Sequence, residues 1–177
     1  MKEGGSLEKG YVSTYTGNGK GKTTAAFGLA LRALMAGKRV FVAQFIKSMK
    51  YKETKIEEYF DSIEILQMGL GCFIIDKAGE EDRKKAKDGL EICRKKLISG
   101  KYDLVILDEI FIATYFKMLT SQEIIETLKE KAPNTEVVMT GRYAPKEIIE
   151  FSDLVTEMKE VKHYYQQGVL SREGFDC

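Results

Sequence analysis

The 177-residue sequence predicts one α/β domain in which a mostly parallel sheet is flanked by helices. Short apolar stretches alternate with amphipathic helical patterns from residue 11 to residue 158. The first stretch leads into a glycine-rich turn that opens a helix, and a later one ends in two carboxylates, Asp108 and Glu109. No repeat or linker divides the chain. We therefore expect a single domain over residues 1–177, with a flexible N-terminus at 1–10 and a C-terminal tail at 159–177.

The first half of the chain contains three expected strands. Residues 11–15 alternate Tyr, Val and Tyr with Ser and Thr, which is typical of a strand. The helix after the glycine-rich turn has alanine and leucine at helical spacing and ends at Gly37. Residues 39–45 form a nearly continuous apolar run, as buried parallel strands do. A short helix at 53–61 and a third strand at 62–68 complete this half.

The second half alternates in the same way. Residues 80–99 form the longest helical pattern, with acidic residues first and basic residues last, as the helix dipole favours. We interpret its basic end as a solvated face, and contact with nucleic acid is the less favoured alternative. The remaining elements are expected to be a strand at 103–109, a short helix at 110–118, a helix from Thr120 or Ser121 to about 132, a strand at 135–140, a helix at 144–152 and a strand at 153–158.

Composition excludes several classes of function. The formal net charge is +1, so no overall field favours nucleic acid or an anionic membrane. No apolar run approaches the roughly 20 residues of a membrane span, and the N-terminus lacks the hydrophobic core of a signal peptide. The three cysteines, Cys72, Cys93 and Cys177, have the spacing of neither a disulfide framework nor a zinc site. We expect a soluble, cytoplasmic protein without nucleic-acid or membrane partners.

The turn at 16–24 (T-G-N-G-K-G-K-T-T) is interpreted as a phosphate-binding loop for ATP or GTP, although Thr16 stands where the usual motif has its first glycine. Glycines let backbone N–H groups surround an oxyanion, and the helix N-terminus adds a partial positive charge. Lys22 supplies a full charge, and the hydroxyl of Thr23 is suitably placed for Mg²⁺. The alternative is a glycine-rich turn with incidental lysines.

The strand at 103–109 (D-L-V-I-L-D-E) shows a Walker B pattern. Its apolar residues indicate burial, and a carboxylate at its tip, Asp108 or Glu109, can hold Mg²⁺ directly or through water. A strand that merely ends in acidic residues is the alternative. Arg142 follows the strand at 135–140, and phosphate binding is favoured there over a structural ion pair. His163, the only histidine, is interpreted as structural rather than as a metal ligand.

Two loops at strand ends leave alternatives open. Residues 46–52 mix lysines with Met49 and Tyr51, and this composition suits a ligand-binding loop and a solvated surface loop about equally. Residues 69–75 place glycines beside apolar side chains. That pattern suits a pocket for a large, flat ligand and a buried loop about equally.

Five segments together resemble the P-loop type of corrinoid (cob(I)alamin) adenosyltransferase. They are G-N-G-K-G-K-T-T-A-A-F-G, V-A-Q-F-I-K, V-I-L-D-E-I, M-T-G-R-Y-A-P and D-L-V-T-E-M-K-E-V-K-H, and they span residues 17–163 in the order expected for the family. The glycine spacing of the phosphate loop is also that of the family. The resemblance implies a RecA-like P-loop fold, usually a homodimer. It further implies transfer of the 5′-deoxyadenosyl group of ATP to the Co(I) of cobalamin or a precursor, releasing triphosphate, in adenosylcobalamin biosynthesis or salvage.

The resemblance also implies roles for individual residues, with ATP bound in reverse relative to other P-loop proteins. Lys22, Lys20 and Glu109 would be catalytic. Thr23 and Glu109 would hold Mg²⁺, or Mn²⁺ in its place, with Asp108 nearby. A reductase partner would supply electrons to the cobalt. The residues expected to bind the nucleotide are Gly17, Asn18, Gly19, Lys20, Gly21, Lys22, Thr23, Thr24 and Arg142.

Residues 44–47, residues 68–73 and Arg142 would shape the rest of the cleft. The chain departs from many relatives at Ser48, where they have glycine, at Tyr164, where proline is frequent, and in having no tryptophan. Only ten residues precede the first expected strand, so the N-terminal lid of longer members is expected to be missing or reduced.

Two other functions would use the same motifs. A P-loop ATPase or phosphotransferase would cleave at the γ-phosphate and release ADP. A non-enzymatic switch would bind ATP and return it unchanged. The identity of the product separates these alternatives from adenosyl transfer.

Overall fold

The computed structural model describes residues 9–46, 51–69 and 79–176. Its strands are β1 (Val12–Thr16), β2 (Val40–Gln44), β3 (Ile63–Gln67), β4 (Leu104–Asp108), β5 (Glu136–Thr140) and β6 (Leu154–Glu157). They form one sheet in the order β3-β2-β4-β5-β1-β6, and every neighbouring pair is parallel. The predicted α/β class is therefore confirmed, with a wholly parallel sheet over the described residues.

The connections between the strands are mostly helical. The α-helices are α1 (Lys22–Met35), α2 (Glu80–Ile98), α3 (Ile110–Tyr115), α4 (Ser121–Lys129) and α5 (Lys146–Phe151). The short helix expected at 53–61 is a 3₁₀ helix, Lys52–Glu58. A second 3₁₀ helix, Tyr164–Gln167, lies in the expected C-terminal tail. None of the helices in the described part of the chain is long and apolar enough to cross a membrane.

The core lies on both faces of the sheet. Successive side chains of a strand point to opposite faces, so Phe41 and Ala43 of β2 belong to one apolar cluster and Val40 and Val42 to the other. The first cluster also contains buried residues of α2, α3, α4 and α5, whereas the second is covered by α1. Burial on both faces explains why these strands have nearly continuous apolar sequences.

The crossover from β1 to β2 positions the site. β1 lies between β5 and β6, and its chain passes over β5 and β4 to reach β2. α1 makes this crossing and packs against both strands. The start of α1 is thereby brought to the carboxyl ends of the central strands, next to the point between β5 and β1 from which the chain connections leave in opposite directions. Ligands of open α/β sheets bind at such a point.

The N-terminal prediction applies only in part to described residues. Residues 1–8 lie outside them. Gly10 belongs to the fold, because it is buried and its N–H donates to the Pro133 carbonyl oxygen at 2.7 Å. The Lys131 ammonium donates to the Gly10 carbonyl oxygen at 2.8 Å.

Candidate active site

The glycine-rich turn wraps tightly because the end of β6 lies against it. Gly17 has φ of +98°, and a Cβ atom there would lie 2.4 Å from the Met158 carbonyl oxygen. The N–H of Gly19 donates to the same oxygen at 2.7 Å. A side chain at Gly17 would clash with this backbone and would also strain its own. The glycine spacing therefore follows from the contact between the turn and β6.

Lys22 lies inside the turn. Its ammonium donates to the carbonyl oxygens of Gly17 and Gly19, both at 2.7 Å. Burial lowers the pKa of Lys22, the nearby Arg142 lowers it further, and Glu109 acts in the opposite direction. A cation that is partly withdrawn from water beside another cation is stabilised by an incoming anion.

The first turn of α1 is left open for an anion. Its N-cap residue, Gly21, has φ of +115°, offers no side-chain cap and is followed by no acidic residue in the first turn. By contrast, α2 and α4 have acids in their first turns: Asp82 accepts the N–H of Gly79, the N-cap of α2, and Glu123 accepts the N–H of Thr120, the N-cap of α4. Among the described residues no side chain caps the start of α1, and N–H groups at an uncapped helix N-terminus favour a bound phosphate.

Asp108, at the end of β4, is fully buried and accepts hydrogen bonds from side chains of α1, β2 and β5. The hydroxyls of Thr23 and Thr140 donate to Oδ1 at 2.9 and 2.7 Å, and the Gln44 side-chain amide donates to Oδ2 at 3.2 Å. The carboxylate thus ties α1, β2, β4 and β5 together. Because the Thr23 hydroxyl gives its proton to Asp108, its lone pairs remain available to a cation.

Glu109 follows in the left-handed conformation, with φ of 62°, and forms the N-cap of α3. Its N–H donates to the Thr140 hydroxyl at 2.9 Å, and its side chain lines the cavity described below. Such a backbone costs of order 1–3 kcal/mol for a residue other than glycine, and such residues cluster at functional sites.

The oxygen ligands present here suit Mg²⁺. Thr23, Asp108 and Glu109 offer a hydroxyl and two carboxylates, and Mg²⁺ is commonly bound by one or two carboxylates together with substrate phosphates. Within the described ranges there is no group of three or more His, Cys, Asp or Glu residues that would enclose a metal by itself. The donor set therefore fits a cation shared with a bound triphosphate.

Arg142 reaches the same space from β5. It follows Gly141, whose φ is +144° and whose missing Cβ would lie 2.9 Å from Cβ of Phe111. This close approach sets the end of β5 against the start of α3. Arg142 lines the cavity beside Glu109.

A cavity of about 860 Å³ joins these groups, and its far side is formed by the C-terminal wall, residues 163–176. Tyr164, Tyr165 and Val169 of this wall line the cavity together with the phosphate loop. His163 accepts the N–H of Tyr165 at Nδ1, at 3.0 Å, and so caps the 3₁₀ helix. The structural interpretation of His163 is consistent with this contact. The part played by the wall was missed in the sequence, because it depends on contacts between residues far apart in the chain.

Lys20 of the phosphate loop contacts the C-terminal wall. Its ammonium contacts the Asp176 carboxylate and donates to the Tyr164 hydroxyl at 2.8 Å and to the Phe175 carbonyl oxygen at 2.5 Å. Lys22 and Lys20 are therefore placed differently, although they stand two positions apart.

The structure brings together most of the residues predicted for the site. Asn18–Thr24, Glu109 and Arg142 all line the cavity, and Gly17 and Asp108 lie directly behind it. Gln44 is fully buried and supports Asp108. The predictions for Lys47 and for residues 70–73 concern positions outside the described residues, as do those for Ser48, Cys72 and Cys177. Sequence reasoning also missed Thr140, whose only signal was a hydroxyl at the tip of an apolar strand.

The chain is similar to known proteins over nearly its whole length. Residues 8–177 match the model of the family described as ATP:corrinoid adenosyltransferase BtuR/CobO/CobP. The corrinoid adenosyltransferase of Escherichia coli K12 is 34% identical, covering 96% of this chain and 86% of that protein. The corrinoid adenosyltransferase of a Sinorhizobium species is 36% identical, covering 96% and 81%.

The fold is also found in a solved structure. The flagellar accessory protein FlaH from Methanocaldococcus jannaschii superimposes with a TM-score of 0.58, covering 84% of this chain and 71% of that chain. Only 11% of the aligned residues are identical, so this likeness concerns the fold alone.

Proposed function

The chain belongs to the ATP:corrinoid adenosyltransferase family, whose activity is the ATP-dependent adenosylation of corrinoids, and we propose that the cavity beside Lys22 holds ATP with its C5′ exposed. The observation that carries the proposal is the joining of an anion-binding turn, a buried carboxylate and an open cavity at one end of the sheet. All three phosphates can then be held as a single leaving group.

The reaction needs one bond to form and one to break. The Co(I) centre of the corrinoid substrate donates an electron pair to C5′, and the C5′–O5′ bond breaks with its electrons passing to the triphosphate. No proton transfer is required at the carbon. The protein therefore contributes position and charge neutralisation, which are the effects a preorganised electrostatic site supplies.

Each cation and acid has a proposed part in this step. Lys22, the N–H groups in the first turn of α1 and Arg142 neutralise the charge that develops on the triphosphate. Thr23 and Glu109 hold Mg²⁺, or Mn²⁺ in its place, and Asp108 orients the Thr23 hydroxyl. When bound, the metal ion supplies further charge neutralisation at the phosphate oxygens.

Further parts of the proposal rest on the family resemblance. We propose one domain over residues 1–177, a homodimer, a cytoplasmic location and a separate reductase that delivers electrons to cobalt. Sedimentation of the purified chain tests the dimer independently of activity.

The test is to mix the protein with ATP, Mg²⁺ and chemically reduced cobalamin while following the cobalt absorption spectrum. We expect a carbon–cobalt bond to form with the native chain. Lys22→Ala should lose at least about 2 kcal/mol of transition-state stabilisation, or about thirtyfold in kcat/KM. Lys129→Ala, an exposed lysine on α4 remote from the cavity, is the matched control and should keep the native rate. A native kcat/KM in Lys22→Ala would contradict the assignment of the loop.

The carboxylates are tested with the metal. Asp108→Asn and Glu109→Gln preserve shape and remove one charge each, so the Mg²⁺ concentration needed for half-maximal rate should rise in at least one variant. If neither titration moves, the acidic pair has only a structural role.

A further inference from the structure

The strongest contacts of the C-terminal wall converge on Lys20. The Lys20 ammonium contacts the Asp176 carboxylate and the Tyr164 hydroxyl, and that hydroxyl also contacts Asp176. Three polar groups from the phosphate loop and the two ends of the wall thus form one cluster. A salt bridge within a network of this kind is held more firmly than an isolated surface pair.

Arg172 completes the cluster from inside the wall. Its N–H and its Nε donate to the second Asp176 oxygen at 3.1 and 3.0 Å. The guanidinium lies over the Tyr164 ring, 4.8 Å from its centroid. These partners leave only 12% of the Asp176 side chain exposed. Hydrogen bonds from Lys20, and then from Tyr164, hold the pKa of the Asp176 carboxyl well below its usual range, so it is ionised near neutral pH.

A second, outer contact differs in character. Glu173 pairs with Lys52 of the 3₁₀ helix after β2 at 2.6 Å, but the two side chains are 76% and 53% exposed. Exposed ion pairs of this kind contribute little to stability. The attachment of the wall to the phosphate loop therefore depends mainly on Asp176.

We propose that Lys20 and Asp176 form a latch that keeps the C-terminal wall closed over the nucleotide cavity, which makes both of them positioning residues. Of the two lysines in the phosphate loop, only Lys22 then binds the phosphates. Lys20 instead holds the C-terminal wall in position. The proposal goes beyond the adenosyl transfer proposed above and depends on it only for the identity of the nucleotide.

The latch is tested by hydrogen exchange of the wall amides without ligand. We compare the native chain with Lys20→Ala, Asp176→Asn and the double variant, and use Glu173→Gln as the matched control on the same wall. Exchange of residues 168–176 should rise about fivefold in each single variant, as expected for loss of one networked ion pair. The double variant should be no faster than either single one, and Glu173→Gln should exchange at the native rate.

Calorimetric titration with Mg-ATP distinguishes the latch from direct contact with phosphate. We expect Lys20→Ala and Asp176→Asn to weaken ATP binding to a similar extent, without addition in the double variant. Asp176→Glu should restore part of the loss. The proposal is overturned if Lys20→Ala weakens ATP binding while leaving the exchange of the wall unchanged, since Lys20 would then act on the phosphates. It is also overturned if Asp176→Asn changes neither measurement. Both measurements are made without a corrinoid, so a failure of adenosyl transfer would leave them interpretable.

Discussion

Replacing Thr140 by valine tests the support beneath the proposed metal site. Thr140 is 1% exposed, and its hydroxyl donates to Asp108 at 2.7 Å while accepting the N–H of Glu109 at 2.9 Å. Valine has nearly the same shape, so the change removes both hydrogen bonds with little change in packing. A hydrogen bond to a charged group contributes about 1.5–3 kcal/mol and a neutral one about 1 kcal/mol, so the free energy of unfolding should fall by about 3 kcal/mol.

Two control variants separate this effect from the substitution itself. Thr140→Ser keeps the hydroxyl and removes one buried methyl group, which costs about 1 kcal/mol. Thr135→Val removes one hydrogen bond, from the fully buried Thr135 hydroxyl to the Tyr102 carbonyl oxygen at 3.0 Å, at the opposite end of the strand. It should cost about 1 kcal/mol and leave ATP binding unchanged.

The measurement is urea unfolding at pH 7 with linear extrapolation. We expect the order of stability to be native, then Thr140→Ser and Thr135→Val together, then Thr140→Val. We also expect Thr140→Val alone to raise the Mg²⁺ concentration needed for activity, because Asp108 loses the hydrogen bond from the Thr140 hydroxyl. If Thr140→Val were as stable as Thr140→Ser, the hydroxyl would not be supporting the carboxylate and the reasoning would be refuted.

Three further predictions concern the turn, the first helix and the edge of the sheet. Gly17→Ala should abolish measurable ATP binding and lower the free energy of unfolding by at least about 1 kcal/mol. The reason is that Gly17 has φ of +98° and a Cβ atom there would lie 2.4 Å from the Met158 carbonyl oxygen. Native affinity for ATP in a calorimetric titration would be inconsistent with the tight turn. Gly28→Ala is the matched control, because a Cβ atom at Gly28 meets nothing within 4 Å. The helix propensity of alanine should raise the free energy of unfolding by about 0.8–1 kcal/mol. A lower midpoint of unfolding in urea would count against the helical packing. Burial raises the pKa of Glu64, but hydrogen bonds from Lys96 and a tyrosine hydroxyl outweigh this effect and hold the pKa below its ordinary value. The ionised carboxylate therefore stabilises the fold at pH values above the pKa of Glu64 in the unfolded chain. This stabilisation is lost as the pH falls through the pKa in the folded protein. Glu64→Gln should therefore lower the free energy of unfolding by about 0.5–1 kcal/mol at pH 7, a value discounted for the partial exposure of Glu64. The loss should become smaller as the pH is lowered. An equal loss of unfolding free energy at pH 7 and at a pH below the folded pKa would disprove the linkage.

The fold was predictable because local pattern and global packing agree. The apolar runs at 39–45 and 103–109 correctly predicted buried strands, since residues buried on both faces of a parallel sheet have no polar alternation. The bounds of the strands in the structure differ by one or two residues from the bounds expected from the sequence, because side-chain contacts end some strands early. Glu109 was expected in the fourth strand but leaves it in the left-handed conformation, held by Thr140 from the neighbouring strand. The local sequence pattern around Glu109 does not show which strand lies next to it.

The placement of residues around the cavity was predictable where it follows from a local motif and not where it depends on contacts between distant residues. Lys22, Thr23 and the carboxylates at 108–109 stand in short motifs whose geometry follows from a turn or a strand end. Lys20 lies in the same motif, but its ammonium is directed by Asp176, 156 positions later in the chain. The cluster depends on how the C-terminal wall packs, which is not visible in the resemblance that placed Lys20 among the nucleotide-binding residues.

The products of ATP provide the most direct test of the central claim. Phosphorus NMR of the reaction mixture identifies the phosphate product while the absorption spectrum counts carbon–cobalt bonds. We predict one intact triphosphate for each bond formed, and no consumption of ATP unless Co(I) corrinoid is present. ADP and free phosphate as the stoichiometric products, formed at a rate indifferent to the corrinoid, would contradict adenosyl transfer and assign the chain to the P-loop ATPases or phosphotransferases.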